Sequence, residues 1–328
     1  MPGNGARPSR RAVLAAAGAT AAMLLSPSGT SAAAPKLPST IRIYVPFGRG
    51  SVVAVACDVL RVALSAELSR RVEIEFPPLP DRMATSLKSL AASNPGELRL
   101  LATDTLVHAL YDSTEAARSP KAPPSLDALV PVATLTIGYS TALFVAADSP
   151  AHDFEAFSQM ARGRELTIAS SNPGSVHKRF LERALDQGLR DVLAPTRERV
   201  FQVVIEGGAA GGLINTPSLV AFIRANPGKL RPILTFGGER NADLAVPTLR
   251  ELTGNRSIAT TNSVGLFAPA GTSPEVVELL HAALSAAAAH KEVVTVVSAM
   301  GLPLQISNAA DLTATVERDR GVVQESGL

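Results

Sequence analysis

The chain has 328 residues, 46% of them hydrophobic and 18% charged, a balance that builds folded cores and excludes a disordered chain. Only 4% are aromatic and none is Trp, which leaves little material for a platform that stacks bases or sugar rings. The net charge of +2 comes from Arg7, Arg10 and Arg11 in residues 1–33, which hold no acid; the remainder carries 28 basic against 29 acidic residues, so no nucleic-acid partner is expected.

Those first 33 residues read as a signal peptide. Arg10-Arg11 precede an apolar stretch from Ala12 to Leu25, and small residues around Ala32 and Ala33 offer a cleavage point. Ser9-Arg10-Arg11-Ala12-Val13-Leu14 has the shape of a twin-arginine signal, which exports folded proteins; an ordinary secretory signal is the alternative. Either one predicts an exported, extracytoplasmic protein. No later stretch reaches the ~20 continuous apolar residues that a membrane span needs. Cys57 is the only cysteine, which excludes an internal disulfide. Its setting, Val55-Ala56-Cys57-Asp58-Val59, predicts a buried small hydrophobe on a helix.

From residue 34 strand and helix signals alternate. Ile41 to Phe47 alternates and ends at a proline. Gly48-Arg49-Gly50-Ser51 follow, and Ser51 is placed to cap a helix over Val52 to Leu68. Residues 72–76 predict a second strand, and a short helix then closes at Asn94-Pro95-Gly96. Residues 98–103 predict a third strand. This β-α-β-α-β series favours a mostly parallel sheet with helices on its faces. After a loop at 119–129, the run from Val130 to Pro150 reads as extended segments divided at Gly138, a candidate crossing into a second lobe. A helix, the strand "LTIAS", a second helix, the strand "FQVVI" and a glycine-rich turn at 206–212 come next. A helix, turn and strand over 216–236 precede a returning strand, and Ser273-Pro274-Glu275 then opens a helix. The expectation is two α/β lobes, with a ligand in the crevice at the carboxyl ends of the strands.

That placement gives Gly48-Arg49-Gly50-Ser51 a chemical meaning. A helix N-terminus presents unpaired N–H groups and partial positive charge. Two glycines allow close approach, Ser51 adds a hydroxyl and Arg49 a fork of donors, which together suit a carboxylate or phosphate. The competing reading is a plain turn with a solvated arginine. Ser170-Ser171-Asn172-Pro173-Gly174-Ser175 repeats the design before a second helix. There His177, Lys178 and Arg179 occupy the first turn, where positive side chains hint at an anionic partner. The glycine-rich stretch at 206–212 lacks the acidic residue of a dinucleotide fingerprint and reads as a tight turn. The five histidines show no metal-binding spacing, and no nucleophile elbow is present. No cofactor or metal is expected. Asp104, His108, Ser170 and His177 leave a hydrolase or isomerase open.

Several segments resemble, in order, the extracytoplasmic receptors of tripartite tricarboxylate transporters, the Bug-type solute receptors. They are "IRIYVPFGRGS", "LRLLATDTLVHAL", "LDALVPVATLTIGYSTALFVAADSP", "LTIASSNPGSVH", "NTPSLVAFIRANPGKLRPILTF" and "GLFAPAGTSPEVVELL". The resemblance implies an α/β fold, a two-lobe periplasmic binding protein of type II, the Venus-flytrap form, with a mixed, mostly parallel sheet in each lobe. Lobe 1 would comprise residues 34–137 and 263–328, and lobe 2 residues 138–262. Carried across by position, the ligand contacts would be Phe47, Gly48, Arg49, Gly50 and Ser51 from one lobe. The other would supply Ser170, Ser171, Asn172, Gly174, Ser175 and His177. Thr103, Asp104 and Thr105 would flank the cleft, and Asn215 matches the asparagine of the family's N-L-P-S segment.

The family's Pro-Pro-Gly-Gly loop is Gly48-Arg49-Gly50-Ser51 here, and the aspartate expected early in the following helix is Ala54. A direct ionic contact from Arg49 is therefore expected where the family uses backbone and water. The implied function is capture of a small organic carboxylate, without catalysis, for delivery to integral-membrane permease subunits, by a periplasmic monomer. The alternatives are a ligand sensor signalling through a membrane partner and a hydrolase or isomerase using Asp104 and His177.

Overall fold

The computed structural model describes residues 37–78, 82–93, 97–113, 128–171 and 175–326. The expected signal peptide and two expected contacts, Asn172 and Gly174, lie outside the described residues. Strand β1 (Thr40–Tyr44) keeps its predicted alternation, burying Ile41 and Ile43. It lies between β2 (Arg71–Glu75) and β3 (Leu98–Asp104), both parallel to it. Helix α1 (Val52–Leu68) links β1 to β2 and lays Val53, Cys57, Leu60 and Leu64 into the core. Cys57 is 1% exposed, and burial pushes its thiol up to about 12, the inert small hydrophobe that its setting predicted. Helix α2 (Arg82–Ala91) links β2 to β3, and α3 (Thr105–Ser113) follows. Three strands are added antiparallel: β4 (Val130–Tyr139), β10 (Asn262–Ala268) and β11 (Leu304–Ser307), giving the order β11-β4-β10-β3-β1-β2.

The second sheet has the order β7-β6-β8-β5-β9. Its strands are β5 (Thr141–Ala146), β6 (Leu166–Ser170), β7 (Leu189–Leu193), β8 (Gly211–Asn215) and β9 (Leu230–Thr235). The β7-β6-β8 portion is parallel, and β5 is antiparallel to both of its neighbours. Helices α4 (Phe154–Gly163), α5 (Val176–Leu185), α6 (Arg197–Ile205), α7 (Thr216–Ala225) and α8 (Leu249–Thr253) belong to this part of the chain. Phe157, Phe180 and Phe236 are fully buried in its core, each contributing about 2–3 kcal/mol by leaving water. Both sheets are mixed, with a parallel portion on one side (β3-β1-β2 and β7-β6-β8) and antiparallel strands on the other. The α/β fold with two mixed sheets therefore holds, while antiparallel pairings are as frequent as parallel ones or more so.

Helices α9 (Pro274–Ala288) and α10 (Lys291–Met300) then lead to the last helix, α11 (Ala309–Ser326). α11 crosses back over α3 and places Val323 in the second core beside Leu106, Ala109 and Leu110. The C-terminus thereby ties the two sheets together.

Two local expectations are corrected, and the helix expected from Ser273-Pro274 is borne out and followed by a second. "FQVVI" is not a strand but the body of α6. Val200, Phe201, Val203 and Val204 are buried at one-, three- and four-residue steps, a helical face that a short apolar run disguises. The strand of that region is β7 instead. The division expected at Gly138 falls at Ser140, between β4 and β5. The apolar stretch from Pro274 to Met300 is two helices, broken at Ala289-His290.

Candidate ligand site

The carboxyl ends of β1, β3, β6 and β8 converge on one cavity of about 110 Å3 between the two sheets. At about 30 Å3 of liquid volume per water this is room for roughly four waters, or for a small organic molecule. Each strand end hands over to a helix whose first residues sit at the wall, and the cap is a polar side chain in each case. Ser51 Oγ accepts from the Ala54 N–H at 3.1 Å. Asp104 Oδ1 accepts from Leu106 and Val107, both at 3.1 Å. Ser175 Oγ accepts from Lys178 at 3.3 Å and Asn215 Oδ1 from Ser218 at 2.9 Å. A fifth helix, α6, starts at the wall with Arg197, capped by Thr196, whose hydroxyl accepts from Arg199 at 3.2 Å. Five positive helix ends around one small cavity favour an anion.

The wall also carries groups from the strands themselves. Cross-strand register sets Asn262 of β10 opposite Tyr139 of β4, and both line the cavity. The Tyr139 hydroxyl donates to Asp104 Oδ2 at 2.8 Å. Asp104 is 4% exposed, and its burial raises the carboxyl to about 6 against the lowering hydrogen bonds from Tyr139, Val107 and Leu106; the nearby Asp319 adds to the rise. Burial likewise lowers the His177 imidazole to about 4, with the neighbouring Asn262 amide working the other way, so His177 is neutral at physiological pH. Its Nε2 lies 3.2 Å from Thr260 Oγ1, and its ring meets Phe236 edge-on.

Phe47, Gly50, Ser51, Asp104, Ser170, Ser171, Ser175, His177 and Asn215 are gathered at the cavity. Four other expected contacts are not. Gly48 abuts the Pro195 carbonyl, in the loop between β7 and α6. Thr103 and Thr105 are fully buried, and the Thr105 hydroxyl donates to Asp319 Oδ2 on α11 at 2.5 Å.

Arg49 corrects its expectation most plainly. Its guanidinium lies 4.2 Å from the centroid of the Phe76 ring and lines a separate surface groove with Asp58, Arg61 and Glu73. Gly48 and Gly50 on either side of it approach Pro195 and Arg197. That groove is larger, about 820 Å3, but several of its charges are already paired with one another: Arg61 with Asp58 and Arg71 with Glu73. The cation at the cavity is Arg197, whose Nε and Nη2 hold Glu198 at 2.9 and 2.7 Å.

Lys178, read as a hint of an anionic ligand, is paired inside the protein. Its Nζ lies 2.9 Å from Glu182 and 3.2 Å from Asp191. His108 meets the Phe267 ring at a tilt in the interior and does not line the cavity with Asp104. The glycine-rich stretch is a turn, Gly207 having φ +73°, that leads into β8. There Gly212 is so close to the Phe144 ring that a side chain would collide with it. Sequence reading missed Tyr139, Thr141, Arg197 and Asn262. The only available signal for Arg197 was its place beside a capping threonine.

A model of the tripartite tricarboxylate transporter family receptor, TctC, matches residues 112–328. The chain belongs to that family. A curated relative, the UPF0065 protein in gbd 5'region of Cupriavidus necator, is 30% identical over 293 residues, covering 85% of this chain and 84% of that protein. A solved periplasmic transporter superposes with a TM-score of 0.72 at 21% identity, over 88% of this chain and 95% of its own. The fold also matches MatC from Rhodopseudomonas palustris with bound malate, with a TM-score of 0.71 at 23% identity over 87% and 98% of the two chains. The fold is that of the periplasmic binding proteins. TctC receptors are binding proteins for transport and not enzymes, which closes the hydrolase or isomerase reading. The geometry agrees, since Asp104 is spent on capping α3 and holding Tyr139, and His177 is held by Thr260.

Proposed function

We propose that this TctC receptor captures a small organic carboxylate in the cavity between its sheets, closes around it, and delivers it to the membrane subunits of a tripartite transporter. The observation that carries the reading is the convergence of five helix N-termini, capped by Ser51, Asp104, Ser175, Thr196 and Asn215, on one cavity of ligand size. The malate bound to MatC, a protein of the same fold, is in keeping with an anion there. Gly50, Ser51, Ser170, Ser175, Asn215 and Arg197 are the proposed anion contacts, with His177 as a neutral hydrogen-bonding partner.

The two sheets act as the two lobes, β1 to β4 with β10 and β11 in one and β5 to β9 in the other. The crossings then fall at Ser140 and just before Asn262 rather than at 137/138 and 262/263. Hinge closure couples binding to recognition by the permease. Residues 1–33 direct twin-arginine export to the periplasm. The test is thermal unfolding of the purified protein against mono-, di- and tricarboxylates and amino acids. A ligand at about 100 times its Kd adds about 2.7 kcal/mol to stability. If no acid raises the melting temperature of a protein shown to be folded, the carboxylate reading fails.

A further inference from the structure

A chain of polar side chains runs along the cavity wall from the first sheet to the second. The Tyr139 hydroxyl donates to Asp104 Oδ2 at 2.8 Å. The Asn262 side chain bonds to Tyr139 and to His177, and His177 Nε2 lies 3.2 Å from Thr260 Oγ1. Asp104, Tyr139, Asn262 and His177 all line the cavity, and all are buried. Tyr139 ends β4 and Asn262 begins β10, so the chain of contacts sits where the backbone crosses between the sheets. Asp104 is its one charged member at pH 7.5.

The groups that face Asp104 do not balance that charge. On its own helix, α3, Oδ1 takes the Leu106 and Val107 N–H groups, and His108 is kept neutral by burial and by the nearby Arg320 charge. Tyr139 on β4 is neutral, burial holding its phenol well above its ordinary value. His177 on α5 is neutral as well. Asp319 on α11 is a second acid, engaged by Arg318 at 2.8 Å. Arg197 on α6 is held by Glu198. No cation of the described residues pairs with Asp104 in a salt bridge. Helix N-termini that draw an anion into this cavity therefore set it beside a buried carboxylate, and like charges at close range away from water repel strongly.

We propose that Asp104 takes up a proton when the cavity takes an anion, so that this receptor captures its carboxylate together with one proton. The proton comes from solvent and bonds to Oδ2, while Oδ1 keeps the cap of α3. Oδ2–H then donates to the Tyr139 oxygen, and the Tyr139 hydroxyl turns its own proton to an oxygen of the ligand. A single proton thus removes a repulsion and adds a donor, and no bond of the ligand is broken. Burial already raises this carboxyl to about 6, and an anion beside it raises it further. The inference rests on the carboxylate reading and adds the residue that sets how affinity depends on pH.

The test is titration calorimetry of the purified protein at pH 7.5 in Hepes and in Tris, two buffers of different ionisation enthalpy. The probes are malate and every other acid of the panel that raises the melting temperature. The difference in heat between the buffers counts protons. Uptake on the order of one proton per ligand is expected, and Kd should fall about fivefold or more from pH 8 to pH 6.5. Asp104→Asn presents an N–H to Tyr139 as the protonated acid would. It should bind without proton uptake, with a Kd nearly independent of pH and, at pH 8, below that of the wild type. His177→Gln should still take up the proton, whatever its affinity. Binding by the wild type with no proton uptake overturns the inference, needs no variant, and leaves the carboxylate reading standing. Uptake that persists in Asp104→Asn overturns it as well, and its loss in His177→Gln would put the proton on that ring instead. If no acid binds the folded protein, both readings fall.

Discussion

Gly48, in the loop after β1, lies against the carbonyl oxygen of Pro195, in the loop after β7, so close that a Cβ at position 48 would collide with that backbone. Two residues on, a Cβ at Gly50 would meet the Arg197 nitrogen at 3.3 Å. The glycines are thus required by the approach of the two sheets over the cavity. Overpacking of this kind costs about 1–3 kcal/mol, and in a hinged receptor the cost falls on the closed form alone. Gly48→Ala should therefore weaken ligand binding by roughly 5- to 150-fold while the ligand-free melting temperature stays near that of the wild type. A large drop in ligand-free stability would instead mean that the sheets stay together without ligand, and would remove the hinge from the account.

The Tyr139 hydroxyl is the only donor on Asp104 Oδ2 among the described residues. Tyr139→Phe removes a hydrogen bond to a buried carboxylate, worth about 1.5–3 kcal/mol when the carboxylate is ionised. The loss should be larger at pH 8, where Asp104 carries its charge, than at pH 4.5, where it is protonated. Urea unfolding at the two pH values measures it. Equal losses at both would show that the bond does not depend on the charge of Asp104.

Asp104 itself is held ionised at a cost. Its carboxyl is raised from 3.8 to about 6, so between those values the folded protein binds more protons than the unfolded chain, and stability falls as pH rises. The penalty is complete above pH 6 and on the order of 3 kcal/mol. Asp104→Asn keeps an oxygen for the cap of α3 and should be more stable than the wild type at pH 8, with the advantage gone near pH 4. His177 acts in the opposite sense. Its value drops from 6.5 to about 4, so acidification through that window favours the unfolded state. The two slopes oppose one another in the wild type between pH 4 and 6, and the variant should lose stability there on acidification. A variant no more stable than the wild type at pH 8 would refute the raised carboxyl. A residue that weakens the fold while lining a binding cavity fits a role in binding.

The parts of the site that local patterns encode were legible in the sequence. Ser51, Ser175 and Asn215 stand where a strand signal ends and a helical run begins, and capping is a matter of a few adjacent residues. Tyr139 and Asn262 sit inside apolar crossing strands, and only the pairing of β10 with β4 brings them together, across more than a hundred residues of chain. No local pattern carries that. The confusion of α6 with a strand has the same root: Phe201 to Ile205, apolar but for Gln202 and rich in β-branched residues, reads as a strand until burial picks out one helical face. The direction of Arg49 was beyond reach for another reason. Loop composition sets which groups are present, while packing against Phe76 decides where the guanidinium goes.

The two arginines near the cavity give the cleanest test of that last distinction. Arg49 stacks on Phe76 outside the cavity, and Arg197 begins α6 at its wall. Arg49→Ala should leave ligand affinity unchanged and cost about 0.5–1 kcal/mol of stability, the worth of an exposed cation–π contact. Arg197→Ala should weaken binding of a carboxylate ligand by about tenfold, since the positive charge at the wall and the guanidinium donors not engaged by Glu198 are lost. It also frees Glu198, whose negative charge then lies near the wall without its partner. Arg197→Lys keeps the charge and loses the fork, so it should recover only part of the affinity. Titration calorimetry of the three variants with one bound ligand decides the matter. If Arg49→Ala is the variant that loses affinity, the cavity between the sheets is not where that ligand's carboxylate sits.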